Sequence, residues 1–284
     1  MENNKPSETS QAAAVQRALH QSLDDDPKIL ADPIALRIVD LPSDPDKIQL
    51  ASTAFFKEMR SRIVMRSRYA EDSLADAVAE RAIRQYLILG AGLDTFSFRQ
   101  PPWAQSLHIF EVDHPATQQW KKERLAVAGL VPPANLKLAP VDFESMSLGD
   151  GLRTCGFDLQ SRTFCSWLGV THYLTEEAID MTFEFVHRLP RGSEIVFEFK
   201  VAFEALSTTE EERDAAAART AASLTGEPTL SRFMPGDLEV KLRRIGFSQV
   251  IALTAEDAQE RYFKNRRDGL AAQIGVYSLM RAIV

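Results

Sequence analysis

The chain has 284 residues, of which 45% are hydrophobic and 26% are charged, and its formal net charge is −7. These fractions are ordinary for globular proteins and exclude a disordered or low-complexity chain. The negative charge argues against a nucleic-acid partner, because such proteins present a basic face to phosphates. Cys155 and Cys165 do not have the spacing of a zinc site or a redox pair, so we expect no metal. No apolar run approaches the roughly 20 residues that span a bilayer, which predicts a cytoplasmic protein without membrane contacts.

The N-terminal quarter of the chain is helical in pattern. Residues 1–10 are polar and predict a disordered tail, whereas residues 11–70 predict a helical cap interrupted by a proline-rich stretch at 26–47. A further helix over 72–83 leads into the first strand, so we place the start of an α/β domain at residue 71 and its end at residue 284.

Beyond residue 84, strand and helix patterns alternate. Buried strands are predicted at 85–90, 107–113, 136–143, 163–170 and 193–200, with two closing strands at 247–253 and 274–283. Short buried strands that alternate with helices indicate a doubly wound, mostly parallel sheet covered on both faces. Residues 201–234 interrupt this alternation and predict a helical lid insertion.

The first predicted strand ends in the sequence LGAGLDT, residues 89–95. Gly90 and Gly92 allow the backbone to turn sharply and to approach a ligand that a Cβ atom would exclude. A helix N-terminus predicted after this turn would offer free N–H groups to the ligand. Ligands of doubly wound sheets bind at the carboxyl ends of the strands, where this turn lies.

The second predicted strand ends in two acids, Glu111 and Asp113, which follow Gly90 by 21 and 23 residues. A carboxylate at this separation accepts hydrogen bonds from the hydroxyls of a ribose. Thr95 replaces the third glycine of a dinucleotide turn, and the Asp94 carboxylate disfavours a pyrophosphate while tolerating a sulfonium and an ammonium group. The pattern therefore favours S-adenosyl-L-methionine over NAD.

Five segments together resemble the leucine carboxyl methyltransferase family, and more narrowly its bacterial branch that includes polyketide O-methyltransferases. They are RSRYAEDSL (66–74), QYLILGAGLDTFSFR (85–99), FEVDHPATQQWKKERL (110–125), SWLGVTHYLTEEAI (166–179) and RYFKNRRDGL (261–270). The resemblance extends from about residue 11 to the C-terminus. It implies a class I methyltransferase fold, with a seven-stranded sheet that includes an antiparallel closing strand, and transfer of a methyl group from S-adenosyl-L-methionine to oxygen.

For the nucleoside half of the cofactor, the resemblance implies that Asp113 holds the ribose, with Glu111 as second choice. Asp142 would reach the adenine amino group, and Phe143 would lie beside the ring. Each of these residues ends a predicted strand, as the site of a doubly wound sheet requires.

For the methionine half, the resemblance places Gly90 and Gly92 under the cofactor and an arginine on its carboxylate. Arg68 matches that arginine best and Arg66 is close behind; a guanidinium forks onto a carboxylate with two hydrogen bonds. Asp94 is a candidate for the positively charged end. Many relatives carry a glutamate where this chain has Leu168, so that contact is either absent here or supplied by another group.

The acceptor is expected to be a small molecule with a carboxylate or a hydroxyl. A carboxylate is already nucleophilic, whereas a hydroxyl benefits from a general base, for which His172, Tyr173 and His114 are the candidates. Two alternatives remain open: a nicotinamide-dependent oxidoreductase on the same fold, and a non-catalytic module that binds the cofactor. The sequence does not indicate the oligomeric state.

Overall fold

Seven strands pair into one sheet in the order β3-β2-β1-β4-β5-β7-β6, in a computed structural model that describes residues 7–41, 44–141, 146–212 and 228–284. The strands are β1 (Gln85–Leu89), β2 (His108–Asp113), β3 (Leu136–Pro140), β4 (Thr163–Trp167), β5 (Glu194–Lys200), β6 (Gln249–Ala252) and β7 (Tyr277–Ile283). All neighbours are parallel except β7, which runs antiparallel to both β5 and β6. The predicted seven-stranded, doubly wound fold is confirmed.

Every residue of β1, β4 and β5 is buried, because helices cover both faces of the sheet. The strand order reverses between β1 and β4: β1 pairs in parallel with β2 on one side and with β4 on the other. A sheet of this kind opens a crevice at the carboxyl ends of its strands where the order reverses. The predicted glycine turn follows β1 and therefore lies at this crevice.

Nine α-helices that lie wholly within the described residues surround the sheet. They are α1 (Glu8–Leu23), α2 (Ala35–Ile38), α3 (Pro45–Ala51), α4 (Ala54–Arg81), α5 (Pro115–Val127), α6 (Leu148–Arg153), α7 (Glu176–His187), α8 (Pro235–Ile245) and α9 (Ala255–Ala258). The prediction of a separate helix over 72–83 was wrong: α4 runs unbroken for 28 residues and ends before Ala82, whose backbone is left-handed. Its buried side chains, Val64 to Ala77, pack with the strands, so residue 70 lies inside an element of the core.

The predicted tail of residues 1–10 was wrong for residues 8–10, because α1 begins at Glu8, and residues 1–6 lie outside the described residues. Ser7 caps this helix and accepts a hydrogen bond from the Ser10 backbone N–H at 3.1 Å. Ser10 in turn accepts, through Oγ, a hydrogen bond from the Leu93 N–H at 3.0 Å. The start of α1 is therefore held against the glycine turn rather than free in solvent.

The helix predicted directly after the glycine turn is a single 3₁₀ turn, Phe96–Phe98. A turn of three residues has no helix dipole that could attract a ligand. Among the described residues, side chains and single backbone N–H groups are therefore the groups that this turn offers to a ligand. Within the predicted lid, residues 213–227 lie outside the described residues, while Val201 and Phe233 pair as an isolated bridge. None of the described helices combines the length and the apolarity needed to cross a membrane.

A buried ion cluster joins α4 to the end of α1. Arg60 donates from Nε and Nη2 to Asp24 at 2.6 and 2.8 Å, and His20 Nδ1 lies 2.8 Å from the same carboxylate. The Arg60 side chain is 1% exposed, so its removal leaves a buried carboxylate with less compensation.

Arg60→Ala should lower the free energy of unfolding by roughly 3–5 kcal/mol, the cost of breaking a buried pair. Urea denaturation followed by circular dichroism measures this change. Arg68→Ala, on the exposed face of the same helix, is the control and should cost at most about 1 kcal/mol. Equal effects of the two substitutions would contradict the assignment of Arg60 to the core.

Candidate active site

The turn after β1 can be built only with glycine at two positions. Gly90 and Gly92 have φ of 65° and 49°, in the left-handed region. A Cβ atom on Gly90 would lie 2.3 Å from Cγ2 of Val170, and one on Gly92 would lie 2.2 Å from Oγ of Ser10. The loop after β4 and the start of α1 therefore close directly on the turn, and both belong to the site.

Asp113 stands beside this turn at the end of β2. Its Oδ2 accepts a hydrogen bond from the Gly92 N–H at 2.5 Å, and its Oδ1 accepts one from the His114 N–H at 2.7 Å. Burial raises the pKa of this carboxyl, and the two backbone N–H groups oppose that rise. A carboxylate offers about four lone-pair sites, so two remain for hydroxyl donors. Asp113 therefore remains the candidate for the ribose hydroxyls.

Glu111, two residues earlier, is engaged elsewhere. Its Oε1 accepts a hydrogen bond from Ser97 Oγ at 2.9 Å, and its Oε2 accepts one from the ammonium group of Lys121. Burial raises the pKa of Glu111, and the Lys121 charge opposes that rise. The carboxylate thus joins α5 to β2 and the 3₁₀ turn, which leaves Asp113 as the acid of β2 that lies on the glycine turn.

The two candidate arginines lie on different sides of α4, because residues two apart do not share a helix face. Arg66 points inward: its Nη1 lies 2.5 Å from Oε2 of Glu198, and both Nη atoms lie 2.8 Å from the position of a Cβ on Gly169. Arg68 points outward, pairs with Asp72 at 2.8 Å, and its side chain is 45% exposed. The geometry therefore favours Arg66, the second choice from the sequence, as the carboxylate ligand.

The carboxylate missing at Leu168 has a counterpart on the next strand. Leu168 packs against the apolar core, whereas Glu198 of β5 is buried and pairs with Arg66. The backbone oxygen of Glu198 accepts a hydrogen bond from Thr171 Oγ1 at 2.7 Å, which fixes the loop after β4 to β5. An acid thus reaches this edge of the sheet from β5.

His172 lies in the 3₁₀ turn Thr171–Tyr173 that follows this loop. The residue is 3% exposed, its ring centroid lies 4.1 Å from that of Tyr173 and 5.5 Å from that of Tyr277, and among the described residues its buried Nδ1 has no hydrogen-bond partner. Burial holds the pKa of His172 well below 6.5, and the charges of Lys200, Arg62, Arg66 and Arg232 lower it further. The imidazole is therefore neutral at neutral pH.

The remaining candidates occupy other positions. His114 is the N-cap of α5, and its Nδ1 accepts a hydrogen bond from the Ala116 N–H at 3.3 Å. Asp94 Oδ1 accepts one from the Phe96 N–H at 2.8 Å, which stabilises the turn. Asp142 and Phe143 lie outside the described residues.

Several residues of this site were not predicted. They are Ser10 on α1, Arg62 on α4, Glu198 and Lys200 on β5, and Tyr277 on β7. A signal existed for β5, because EIVFEFK carries two charges near the carboxyl end of a strand that otherwise predicts full burial. No local pattern distinguishes Ser10, since its role depends on where α1 packs.

The sheet order with its antiparallel β7, and the acid beside a glycine turn, define the class I methyltransferase fold. A crystal structure described as a putative methyltransferase from Thermobifida fusca has this fold with a TM-score of 0.59 at 16% identity, covering 99% of this chain and 96% of that one. A DUF574 family protein from Streptomyces avermitilis gives a TM-score of 0.55 at 18% identity, covering 86% and 92%.

The chain belongs to the leucine carboxyl methyltransferase family, whose profile matches residues 10–187. It is 36% identical, over 96% of both chains, to the Bacillus subtilis protein named "Putative S-adenosyl-L-methionine-dependent methyltransferase YktD". A similarly named protein of Mycobacterium avium is 32% identical over 57% of this chain, and that match spans about half of the mycobacterial protein, 53% of its length. The predicted family is confirmed.

Asp113→Ala should weaken the binding of S-adenosylhomocysteine by about 1.5–3 kcal/mol, the contribution of a charged hydrogen-bond partner. Isothermal titration calorimetry measures the affinity, and thermal unfolding shows whether the variant is folded. Glu111→Gln should leave the affinity unchanged although it lowers stability. The reverse result would give the ribose to Glu111.

Gly169→Ala should weaken the same binding by roughly tenfold, because the new Cβ displaces the Arg66 guanidinium from its charged partner. Gly169 has a φ of 74°, so backbone strain accompanies the change. Gly156→Ala is the matched control: its φ is 79°, and no described atom lies within 4 Å of the added Cβ. Equal losses of affinity in both variants would attribute the effect to strain instead of to Arg66.

Proposed function

We propose that this S-adenosyl-L-methionine-dependent methyltransferase transfers the methyl group to an oxygen atom of a small-molecule acceptor. The observation that carries the proposal is His172, a buried neutral imidazole whose Nδ1 has no partner among the described residues. Two residues before it, Val170 lies against Gly90 of the cofactor turn. A proton acceptor close to the turn favours an acceptor with a hydroxyl group.

The residues present fit the cofactor. Arg66 would bind its carboxylate and Asp113 its ribose hydroxyls, and the left-handed backbone at Gly90 and Gly92 lets Val170 and Ser10 pack directly on the turn between them. When bound, the cofactor supplies a methyl group on a positively charged sulfur, which an aligned nucleophile displaces. Alignment of the reacting atoms supplies much of the rate of such a reaction. The tight packing of α1 and the β4 loop on the turn would keep the cofactor-binding backbone in one position and so support this alignment.

The chain's own contribution on the acceptor side is the removal of a proton. His172 Nδ1 takes the proton of a hydroxyl as its oxygen becomes nucleophilic, and the burial of His172 excludes water from the step. The Tyr173 ring contacts the imidazole at an interplanar angle of 45° and holds it in place. His114 is placed less well, because its Nδ1 already accepts the Ala116 N–H.

A carboxylate acceptor is the second candidate, favoured by the description of the family whose profile the chain matches. Such an acceptor is already anionic, and its methylation needs no base. The sequence-based alternative of a nicotinamide-dependent enzyme has less support, since the third glycine of a dinucleotide turn is Thr95 and β7 runs antiparallel.

Transfer of labelled methyl groups from S-adenosylmethionine to a panel of phenols, alcohols and carboxylic acids tests the proposal. With a hydroxyl acceptor, His172→Phe should lower kcat by about 10²–10⁴-fold, the usual contribution of a general base, and leave S-adenosylhomocysteine affinity unchanged. With a carboxylate acceptor, the same substitution should have little effect on kcat.

His187→Phe is the control for this substitution. Its Nδ1 also lacks a partner among the described residues, but its ring packs on Phe247 and Gly246, away from the turn. No labelled product from any acceptor, in a protein that binds the cofactor, would contradict the proposed transfer and return the non-catalytic module as the better interpretation.

A further inference from the structure

Four cationic side chains surround His172 at the carboxyl edge of the sheet. Arg62 and Arg66 come from α4, Lys200 from the end of β5, and Arg232 from the segment that precedes α8. They belong to regions far apart in the chain, so the fold itself brings them together. We call Arg62, Lys200 and Tyr277 the anchor site, because the two cations share the ring of that tyrosine.

The Arg66 guanidinium is already assigned: it pairs with Glu198 and is placed for the cofactor's carboxylate. Arg62 has no such assignment. Its Nη1 lies 3.7 Å from Oε1 of Glu198, too far for a hydrogen bond. Within the described part of the chain, this buried Nη1 has no hydrogen-bond acceptor, although the guanidinium as a whole contacts the Tyr277 side chain. A buried charged donor without an acceptor costs free energy, which a bound acceptor would recover.

Arg62 is nevertheless held in a defined position. Its guanidinium carbon lies 3.6 Å from the ring centroid of Tyr277, and Lys200 Nζ lies 5.1 Å from the same centroid. Lys200 and Tyr277 are paired residues of β5 and β7, and Lys200 also donates to Thr229 Oγ1 at 3.3 Å. Two preorganised cations on one aromatic ring, with one N–H group that lacks a hydrogen-bond acceptor, are suited to bind a carboxylate.

The chemistry of the reaction decides which part of the acceptor this site binds. An oxygen atom that is paired with a guanidinium holds its electrons more tightly and is a poorer nucleophile. Cations of this kind therefore suit a group that does not react. His172, whose ring packs on Tyr277 at 5.5 Å, is the neutral neighbour beside which the reacting oxygen would lie.

We propose that the acceptor carries a carboxylate that is not methylated, in addition to the oxygen that is, and that Arg62 and Lys200 bind this second group. The acceptor is then a hydroxy acid, or a diacid if the reacting oxygen belongs to a carboxylate. This inference rests on the proposed function for the reaction, but the binding of the acid group is measurable without turnover.

The test uses pairs of compounds that differ only in charge. Hydroxybenzoic, hydroxyphenylacetic and aliphatic hydroxy acids are each titrated against the protein beside their primary amides, with and without saturating S-adenosylhomocysteine. The acids of at least one scaffold should bind tenfold or more tightly than their amides, since a charge-assisted hydrogen bond corresponds to roughly tenfold to hundredfold in affinity.

Arg62→Gln should abolish the difference between acid and amide and keep the affinity for S-adenosylhomocysteine within about twofold. Arg68→Gln, six residues along the same helix and solvent-exposed, should retain the difference. Lys200→Met is the second variant and should reduce the same difference. It replaces Arg62→Gln in the test if thermal unfolding shows that Arg62→Gln is not folded.

Acids and amides that bind equally, the absence of binding by every acid, or a preference for acids that survives both substitutions would overturn the inference. The titrations of acids and amides without S-adenosylhomocysteine report on the anchor site alone. A failure of S-adenosylhomocysteine itself to bind would therefore count against the proposed function and not against the anchor site.

Discussion

The ion pair between Arg66 and Glu198 joins the long helix to the centre of the sheet, and the rest of the site is arranged around it. Both side chains are largely buried, and a buried pair is stable only where its geometry is held from both sides. Here the unbroken α4 fixes one partner and β5 the other. The β4 loop passes next to the pair, where Gly169 leaves room for the guanidinium and Thr171 binds the Glu198 backbone. The positions of Val170 and His172 follow from this path.

The N-terminal helix is the second constraint on the site. Arg17 of α1 pairs with Asp32 at 3.0 Å and donates to the Leu93 carbonyl at 2.5 Å, while Ser10 accepts from the Leu93 N–H. Both polar groups of one residue in the glycine turn are thus bound by α1. The turn keeps its shape because a distant helix holds it, which a local reading of LGAGLDT does not reveal. Because α1 holds the glycine turn, the turn keeps its shape although only the 3₁₀ turn Phe96–Phe98 follows it and not the predicted helix.

The strands, the glycine turn and Asp113 could be predicted from sequence because each depends on local chemistry: burial period, left-handed backbone and spacing along one βα unit. The choice between Arg66 and Arg68 could not. Both lie in the same motif, and only the rotation of α4 relative to the sheet turns one inward. Glu198 had a partial signal, the two charges near the end of a strand that predicts full burial, but nothing in that segment indicates that this acid meets an arginine of α4. The break predicted near residue 70 is absent because α4 continues through this region with Tyr69 and Ala70 packed in the core.

The neutral base and the cations beside it depend on each other. Burial, and then the charges of Lys200, Arg62 and their neighbours, keep the proton off His172, which leaves Nδ1 able to accept one, but a pKa well below its ordinary value also makes the imidazole a weak base. An acid group bound by Arg62 offsets part of that positive charge and so raises the pKa of His172 toward the range in which a general base is effective. Acceptor binding and base strength are then coupled through one electrostatic field. A molecule without the acid would lose both its anchor and part of its catalysis, so specificity would appear in kcat as well as in KM.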